Sequence, residues 1–316
     1  MSNKSNNQGR AYEYIWINTL HDVLTLNRKV VVVKNSSYDA NYKAWNSLNQ
    51  QMQELLKISA KSAVNTLLEL EPLMLENDEK ELTLEFQTDD NGKKGDVRDI
   101  LIRRENICWE IGLSIKHNHE AVKHSRLSHV LDFGKEWFDM PCSKEYWDAI
   151  KPIFDDLKQK QSLGILWKQV KDKDNKIYVP LLNAFIEEIK SAYDKNHLIS
   201  RKMVEYLIGV YDYHKVVSCD SKKLTMIETF NIHNTLNKPS RVRKSRIEVP
   251  TVVLPTELVA IKFKQNKTNT VEMYLNNGWQ LSFRIHNASS RVEPSLKFDI
   301  QFIGTPTSIL TIECKW

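Results

Sequence analysis

The stretch "ICWEIGLSIK" at residues 107–116 constrains the fold most, because apolar and polar side chains alternate along it. Successive side chains of an extended strand point to opposite faces of a sheet, so this alternation predicts a half-buried β-strand. One face would carry Trp109, Ile111, Leu113 and Ile115, and the other Glu110, Gly112, Ser114 and Lys116. The chain is therefore expected to build a sheet whose polar face holds a carboxylate, a hydroxyl and an ammonium group.

A second short apolar run, "DILIR" at 99–103, places Asp99 at the mouth of an antiparallel neighbour of that strand. Carboxylates on adjacent strands bind Mg²⁺, which polarises a phosphate and acidifies its bound water. A lysine beside them offsets the negative charge that develops during hydrolysis. The pattern is typical of metal-assisted phosphodiester hydrolysis, although a solvated polar face shows the same alternation.

Hydrophobic periodicity along the rest of the chain indicates both helices and strands. Helical spacing covers 11–24, 42–77, 118–138 and most of 143–235, whereas alternation marks 81–88 and much of 247–316, and an Asn-Gly turn falls within 89–95. The predicted fold class is α/β (α+β), a mixed sheet flanked by helices, with a helical middle region and a β-rich C-terminal part. The predicted segments are 1–142 with the catalytic strands, 143–237, mostly helical, and 238–316, a basic segment followed by strands.

The composition indicates a protein of the reducing cytoplasm. No window approaches the roughly 18 apolar residues of a membrane span, and the N-terminal "MSNKSNNQGR" lacks the apolar stretch of a secretory signal. The four cysteines form no C-x-x-C pair, so free thiols are expected rather than a zinc site or disulfides. The formal charge is only +5, but "KPSRVRKSR" at 238–246 and the stretch 116–129 are both basic, which suggests an anionic polymer as partner.

Four blocks of the sequence resemble the HaeIII family of type II restriction endonucleases, part of the PD-(D/E)XK nuclease superfamily. They are "NQGRAYEY" (7–14), "GDVRDILI" (95–102), "WEIGLSIKHNHEAVKHSRLS" (109–128) and "GWQLSFRIHNASSRVEPSLKFDIQFIG" (278–304). They follow the family's order from near the beginning to near the end, so the resemblance covers the whole chain. It implies a PD-(D/E)XK core, Mg²⁺-dependent cleavage of double-stranded DNA at GGCC with blunt ends, and a cytosine methyltransferase that protects the host.

The resemblance also implies roles for single residues. Asp99 would bind the metal, and Lys116 would assist the attacking water. The superfamily pattern has an acid two residues before the lysine, but this chain has Ser114 there. The predicted catalytic set is Asp99, Glu110, Ser114 and Lys116, and a further carboxylate is expected to replace the missing acid.

Three carboxylates are candidates for that replacement. Glu110 shares the polar face, but it lies about 13 Å from Ser114 along a strand and would need a bulge at Gly112 to reach the metal. Glu13 is in the first predicted helix, where the superfamily often places a glutamate near the metal. Glu120 is the least supported. The predicted metal ligands are therefore Asp99, then Glu110, then Glu13.

Two other patterns compete with this site. Asp299 with Glu313 and Lys315 also fits a spaced D…ExK pattern, but this strand would end at the C-terminus without the helix that normally follows. We rank it second. The letters "HNH" at 117–119 do not indicate an HNH nuclease, whose motif is spread over a ββα finger, and a zinc cluster of His117, His119 and His124 is disfavoured.

Several basic and polar residues are candidates for contacts with DNA. Arginine and asparagine read guanine and adenine edges with paired hydrogen bonds, and phosphate contacts need only positive charge. The candidates for phosphate contacts are Lys123 and Arg126, one turn apart on the predicted helix 118–138, with Arg241, Arg243 and Arg246. The candidates on the late hairpin are Arg284, His286 and Asn287, with Arg291 just beyond it. A solvated charge run and a polar sheet face are the alternative interpretations.

Two other functions remain open from the sequence. Ser114 in place of the acid favours a DNA-binding protein that keeps a nuclease fold without cleavage. A structure-specific repair nuclease is the other alternative. A palindromic target invites a two-fold homodimer, whereas a monomer would cut the two strands in turn.

Overall fold

The computed structural model of the chain describes residues 2–88, 96–118 and 122–316, so the turn expected at 89–95 and the candidate Glu120 lie outside the described residues. The helices are α1 Ser2–Leu24, α2 Ser36–Asn46, α3 Gln50–Leu70, α4 Phe133–Phe138, α5 Lys144–Ser162, α6 Val179–Lys195 and α7 Ile199–Ile208. The strands are β1 Val30–Val32, β2 Leu82–Phe86, β3 Ile100–Arg104, β4 Trp109–His117, β5 Lys123–Ser128, β6 Tyr213–Cys219, β7 Leu224–Phe230, β8 Leu258–Phe263, β9 Thr270–Leu275, β10 Gln280–His286, β11 Ser295–Gly304 and β12 Leu310–Lys315. Short 3₁₀ or π turns occupy Pro72–Met74, Glu105–Ile107, Trp167–Gln169, Asp174–Tyr178 and Asn276–Gly278.

The strands form two sheets, which confirms the mixed α/β class. The first sheet has seven strands in the order β1-β2-β3-β4-β6-β7-β12, and the second has five in the order β5-β11-β10-β9-β8. In the first sheet β1 runs parallel to β2 and β4 parallel to β6, whereas the second is antiparallel throughout. Within the described residues no helix is long and apolar enough to cross a membrane. The four cysteines are free, as predicted.

Each sheet belongs to its own compact unit. Unit 1 comprises 1–120, 209–253 and 307–316, and unit 2 comprises 121–208 and 254–306. The units are discontinuous in sequence because the chain leaves the first sheet after β4 and returns to it with β6, β7 and β12. The three contiguous segments predicted from the sequence (1–142, 143–237 and 238–316) therefore run across both units.

The core of unit 1 explains why β4 alternates. Its apolar residues, including Ile111 and Leu113, are buried in one cluster with residues of α1 and α3. Helix α3 begins after Asn49, whose side chain accepts a hydrogen bond from the amide of Met52 and so satisfies one of the free donors of the first turn. Each fully buried Leu or Ile stabilises the fold by about 1.5–3 kcal/mol, so this cluster fixes which face of β4 remains polar.

The helix predicted over 118–138 is wrong. The chain instead forms strand β5, which pairs antiparallel with β11, and only then the short helix α4. In β5 Ser125 and Leu127 are buried while Arg126 is exposed, which is the period of a strand. The single helix predicted over 42–77 is two helices in the structure. Helix α2 ends at Asn46, and α3 begins after its cap Asn49 and ends at Leu70.

Candidate active site

Asp99 precedes β3 and is held in place by its backbone. Its amide donates to the carbonyl of Leu113 at 2.7 Å, and its carbonyl accepts from the amide of Gln87 at 2.9 Å. These bonds continue the ladders on both sides of β3, because Ile100 is paired with Leu113 and Phe86 with Ile100. The side chain of Asp99 is therefore placed beside the second half of β4.

The Asp99 carboxylate gathers three donors from consecutive residues of β4. Its Oδ2 accepts from the amide of Ile115 at 2.6 Å, from Lys116 Nζ at 2.9 Å and from Ser114 Oγ at 3.3 Å. The structure thus brings together three of the predicted catalytic residues. Ser114 is buried, and its hydroxyl donates to the aspartate at the position where the predicted motif would have an acid.

Lys116 is the cation of this cluster. Burial lowers the pKa of its ammonium group, but the neighbouring charge of Asp99 and their hydrogen bond outweigh burial, so the pKa lies above its ordinary value. Both side chains keep partial access to solvent. Lys116 is accordingly cationic at neutral pH and able to contact an incoming phosphate or water.

Glu13 of α1 is the second carboxylate of the cluster. Burial, first, and then the negative charge of Asp99 raise its pKa to about 8, and the charge of Lys116 opposes the rise. Asn41 of α2 donates to Glu13 Oε2 at 2.8 Å and orients the carboxyl group. Two acidic groups thus share one ammonium group, an arrangement that favours binding of a further cation.

Glu110 is not brought into this cluster. Its Oε1 accepts from Arg98 at 2.7 Å and its Oε2 from Arg103 at 2.6 Å, so both carboxylate oxygens have arginine partners. Burial would raise the pKa of Glu110, but these bonds outweigh it and lower the pKa. The bulge required at Gly112 is absent, since the pairing of β3 with β4 runs without a register shift.

The donor set fits Mg²⁺ bound mainly through water and substrate. No group of three or more His, Cys, Asp or Glu side chains close enough to hold a metal ion occurs among the described residues. Mg²⁺ usually keeps several waters and is held by one or two carboxylates together with phosphate oxygens, so Asp99 and Glu13 suffice chemically. The raised pKa of Glu13 shows that its charged form is disfavoured by burial and by Asp99, so a bound cation would lower this pKa and favour the carboxylate.

A buried ion pair beside Ser114 was missed from the sequence. Lys215 of β6 is the register partner of Ser114 and also faces Glu228 of β7, with Nζ 2.9 Å from Oε2. Both side chains are almost fully buried. These residues lie in a stretch that helical spacing had assigned to helix, and strand β6 is buried on both faces, so no alternation marked it as a strand.

The second sheet presents a cationic face in unit 2. Arg126 of β5, Lys297 of β11 and His286 of β10 are direct cross-strand partners and so lie on one face. On the same face Arg284 of β10 is exposed, and its Nη2 donates to Asp299 Oδ2 at 2.8 Å. The structure therefore groups two predicted arginines and His286, and adds Lys297, which alternation in "SLKFDIQF" could have indicated.

The other predicted DNA contacts are placed differently. Lys123 lies with Arg126 on β5, so the shared helical face predicted for the two residues does not exist. Asn287 donates to the carbonyl of Ser289 at 2.7 Å, and Arg291 forms an isolated bridge with Leu166.

The basic segment 238–246 has no regular secondary structure. Arg241 approaches Glu76 at 3.5 Å, Arg243 pairs with Glu69, and Arg246 is exposed. Part of its positive charge is therefore balanced within unit 1.

The competing C-terminal pattern is not assembled as one strand pair. Asp299 lies on β11 of the five-stranded sheet and binds Arg284, whereas Glu313 and Lys315 lie on β12 of the seven-stranded sheet. Of the residues 117–119 that spell HNH, His117 has its Nε2 3.1 Å from Asp220 Oδ2, and His119 lies outside the described residues.

Comparison with known proteins points to one family. The family model described as HaeIII restriction endonuclease matches residues 9–306. The type II restriction enzyme HaeIII of Haemophilus aegyptius is 51% identical, over 100% of this chain and 99% of that enzyme. No solved structure matched the chain.

Proposed function

The chain belongs to the HaeIII restriction endonuclease family, and on that premise we propose that it cleaves double-stranded DNA at the palindrome GGCC, between G and C, leaving blunt ends. It is a restriction endonuclease, a site-specific deoxyribonuclease. The observation that carries the proposed chemistry is the contact of Lys116 with Asp99, with Glu13 in electrostatic range of both. A cytosine methyltransferase that protects the same sequence is the expected functional partner.

Hydrolysis is assigned to the cluster of unit 1. When bound, Mg²⁺ supplies a Lewis acid for the scissile phosphate and a water of lowered pKa. Asp99 and Glu13 would hold it, and Glu110 would be the alternative ligand if Arg98 and Arg103 released its carboxylate. Lys116 orients the attacking water and balances charge on the phosphate oxygens. Attack breaks the P–O3′ bond, and the leaving 3′ oxygen takes up a proton, so the products are a 5′-phosphate and a 3′-hydroxyl.

Sequence reading is assigned to the cationic face of unit 2. An exposed guanidinium held by a carboxylate, as in Arg284 with Asp299, has a fixed orientation suited to paired hydrogen bonds with guanine. His286, Lys297 and Arg126 extend the face for phosphate or base contacts. A site made only of G·C pairs suits such arginine-based readout. The palindrome admits either a homodimer or a monomer acting twice.

The direct experiment is digestion of phage DNA with the purified protein and Mg²⁺. We expect discrete fragments whose blunt ends map to GGCC, and protection when the cytosines of that sequence are methylated. Fragments with other ends would overturn the proposed specificity. A smear without recurring ends, as a structure-specific repair nuclease would give, would overturn the proposed activity.

A second candidate function rests on Ser114. A nuclease core without its acid before the lysine is consistent with a DNA-binding protein that no longer cuts. Metal-dependent nicking of a GGCC duplex excludes that alternative, whereas tight binding of the same duplex without nicking at any divalent metal supports it.

Replacing Glu13 by Gln should change stability with pH as well as activity. Because folding raises the pKa of Glu13 from 4.5 to about 8, its contribution to stability is present below pH 4.5 and is lost as the pH rises through 8. Gln does not titrate, so metal-free Glu13→Gln should unfold at a higher temperature than wild type at pH 9. The free energy of unfolding at pH 9 should be higher in the variant by on the order of 2–4 kcal/mol, after solvent screening is allowed for.

The measurement is thermal unfolding in EDTA between pH 5 and pH 9, beside DNA cleavage. The two proteins should have similar melting temperatures at pH 5, and the variant should cleave poorly at every pH. Parallel stability curves would contradict the raised pKa, and full cleavage by the variant would remove Glu13 from the metal site.

Replacing Arg284 by Ala should weaken sequence-specific binding. Loss of one paired contact with a guanine costs about 1–3 kcal/mol, which is roughly 5-fold to 150-fold in affinity for a GGCC duplex. Binding is measured in Ca²⁺ at fixed salt against a duplex lacking GGCC. Lys267→Ala is the matched control, because it removes one exposed positive charge from the turn between β8 and β9 of the same unit. Equal losses for both variants and both duplexes would assign Arg284 to nonspecific attraction.

A further inference from the structure

Arg98, the residue immediately before Asp99, is buried, and its guanidinium group is hydrogen-bonded to two carboxylates. Its side chain is 5% exposed. Its Nε and Nη2 donate to the two oxygens of Asp96 at 2.8 and 2.7 Å, and its Nη1 donates to Glu110 Oε1 at 2.7 Å. A buried guanidinium is tolerated only when its charge and hydrogen bonds are satisfied, so these partners determine where the side chain can lie.

Gly112 of β4 provides the space that Arg98 occupies. A Cβ added at Gly112 would lie 2.0 Å from Cδ of Arg98 and 2.5 Å from its Cγ. The ladder between β3 and β4 is regular at this position, where Leu101 is paired with Gly112. Glycine is therefore required here by the close approach of a side chain and not by a bulge. Arg98 crosses β4 where only a hydrogen projects from the strand.

Tyr211 contacts the guanidinium of Arg98 from the loop that precedes β6. The guanidinium carbon lies 4.1 Å from the ring centroid, within cation–π range, and the ring is 48% exposed. Three separate parts of unit 1 thus contact Arg98: the segment containing Asp96, strand β4 and the loop containing Tyr211.

We propose that Arg98 is a positioning residue that holds Asp99 in its catalytic orientation, an inference that rests on the proposed nuclease function. Asp99 lies just outside β3. The residue before it, Arg98, is fixed across β4 by the contacts of its own side chain. The same strand supplies Ile115 and Lys116 to the Asp99 carboxylate. Displacing a catalytic group by about 1 Å can reduce the rate about 100-fold, so a clamp on the adjacent residue has a direct effect on turnover.

The test uses Arg98→Ala, Gly112→Ala and the double variant, with steady-state cleavage of a GGCC duplex at varied Mg²⁺. We expect kcat to fall roughly 10-fold to 100-fold in both single variants, with KM for DNA within about threefold. The Mg²⁺ concentration for half-maximal rate should rise, because Asp99 is less well held. The double variant should lose less than the two single losses combined, because Arg98→Ala removes Cδ and Cγ, the two closest atoms, and leaves only the Cβ contact at 2.9 Å.

Arg103→Met is the matched control. Arg103 donates to the same Glu110 and pairs with Glu85, whereas the three atoms nearest to a Cβ at Gly112 all belong to Arg98. It should lose stability without a change in kcat or in the Mg²⁺ midpoint. If Arg103→Met reproduces the Arg98→Ala kinetics, the role belongs to the charge network in general and the proposal is overturned.

If the single variants fail to fold, Tyr211→Ala decides the question, because it removes only a half-exposed ring from the guanidinium. A raised Mg²⁺ midpoint supports the proposal, and an unchanged midpoint and kcat overturn it. Wild-type protein is assayed beside every variant. Absence of cleavage by wild type would refute the proposed function, whereas active wild type with equally active Arg98 variants would refute only the role of Arg98.

Discussion

Asp99→Asn should abolish DNA cleavage, with a loss of at least about 1,000-fold in kcat, while the protein still folds and binds a GGCC duplex. Asn keeps the size of the side chain and an acceptor for the amide of Ile115, so the local backbone should be preserved. It lacks the negative charge that pairs with Lys116 and that the proposed metal site requires. The measurement is single-turnover cleavage at saturating protein, with binding and thermal unfolding recorded on the same samples.

Asp299→Asn is the comparison that tests the competing site. Asp299 binds Arg284 on the five-stranded sheet, so its replacement should weaken binding of the specific sequence and leave cleavage at saturating protein nearly intact. The opposite result, in which Asp299→Asn stops cleavage by a folded protein and Asp99→Asn does not, would transfer the active site to β11. The two variants distinguish cleavage from recognition, because Asp99 contacts Lys116 whereas Asp299 contacts Arg284.

The proximity of Asp99 and Lys116 was predictable because it depends on local spacing. The two-residue period of β4 and the short connection from β3 place Asp99 beside Lys116 whatever the rest of the chain does. Sequence spacing also placed Glu110 on the same face of β4 as Ser114 and Lys116, and the strand in the structure has that alternation. It could not show that Arg98 and Arg103 would occupy both oxygens of Glu110, since side-chain pairing depends on the tertiary structure.

The errors arose where the partner of a segment is distant in sequence. Residues 123–128 show weak helical spacing, but β5 pairs with β11, which begins at Ser295. Backbone pairing across such a separation overrides local propensity. Lys215 and Glu228 were overlooked for the same reason, because their strands join the first sheet only after the first segment of unit 2, residues 121–208. The order of the metal ligands, Asp99, then Glu110, then Glu13, stays a prediction, and the structure adds that Asp99 and Lys116 both act on the pKa of Glu13.

Lys116→Met should reduce kcat by about 100-fold to 1,000-fold and at the same time strengthen, or leave unchanged, the binding of Mg²⁺. The ammonium group lies 2.9 Å from Asp99 Oδ2 and so competes with a metal ion for that oxygen. Removing it leaves two carboxylates without their cation, which increases their affinity for Mg²⁺. The same removal deprives the attacking water and the phosphate of a positive charge, and the chemical step slows.

The measurement combines single-turnover rates with the Mg²⁺ concentration that gives half the maximal rate. Lys116→Arg is the matched variant, because it keeps the charge on a planar group of different reach and should recover part of the rate. Opposite changes in rate and metal binding distinguish a catalytic ammonium group from one that merely supports the fold of the metal site. A rise in the Mg²⁺ midpoint that accounts for the whole loss of activity would contradict the catalytic role of Lys116.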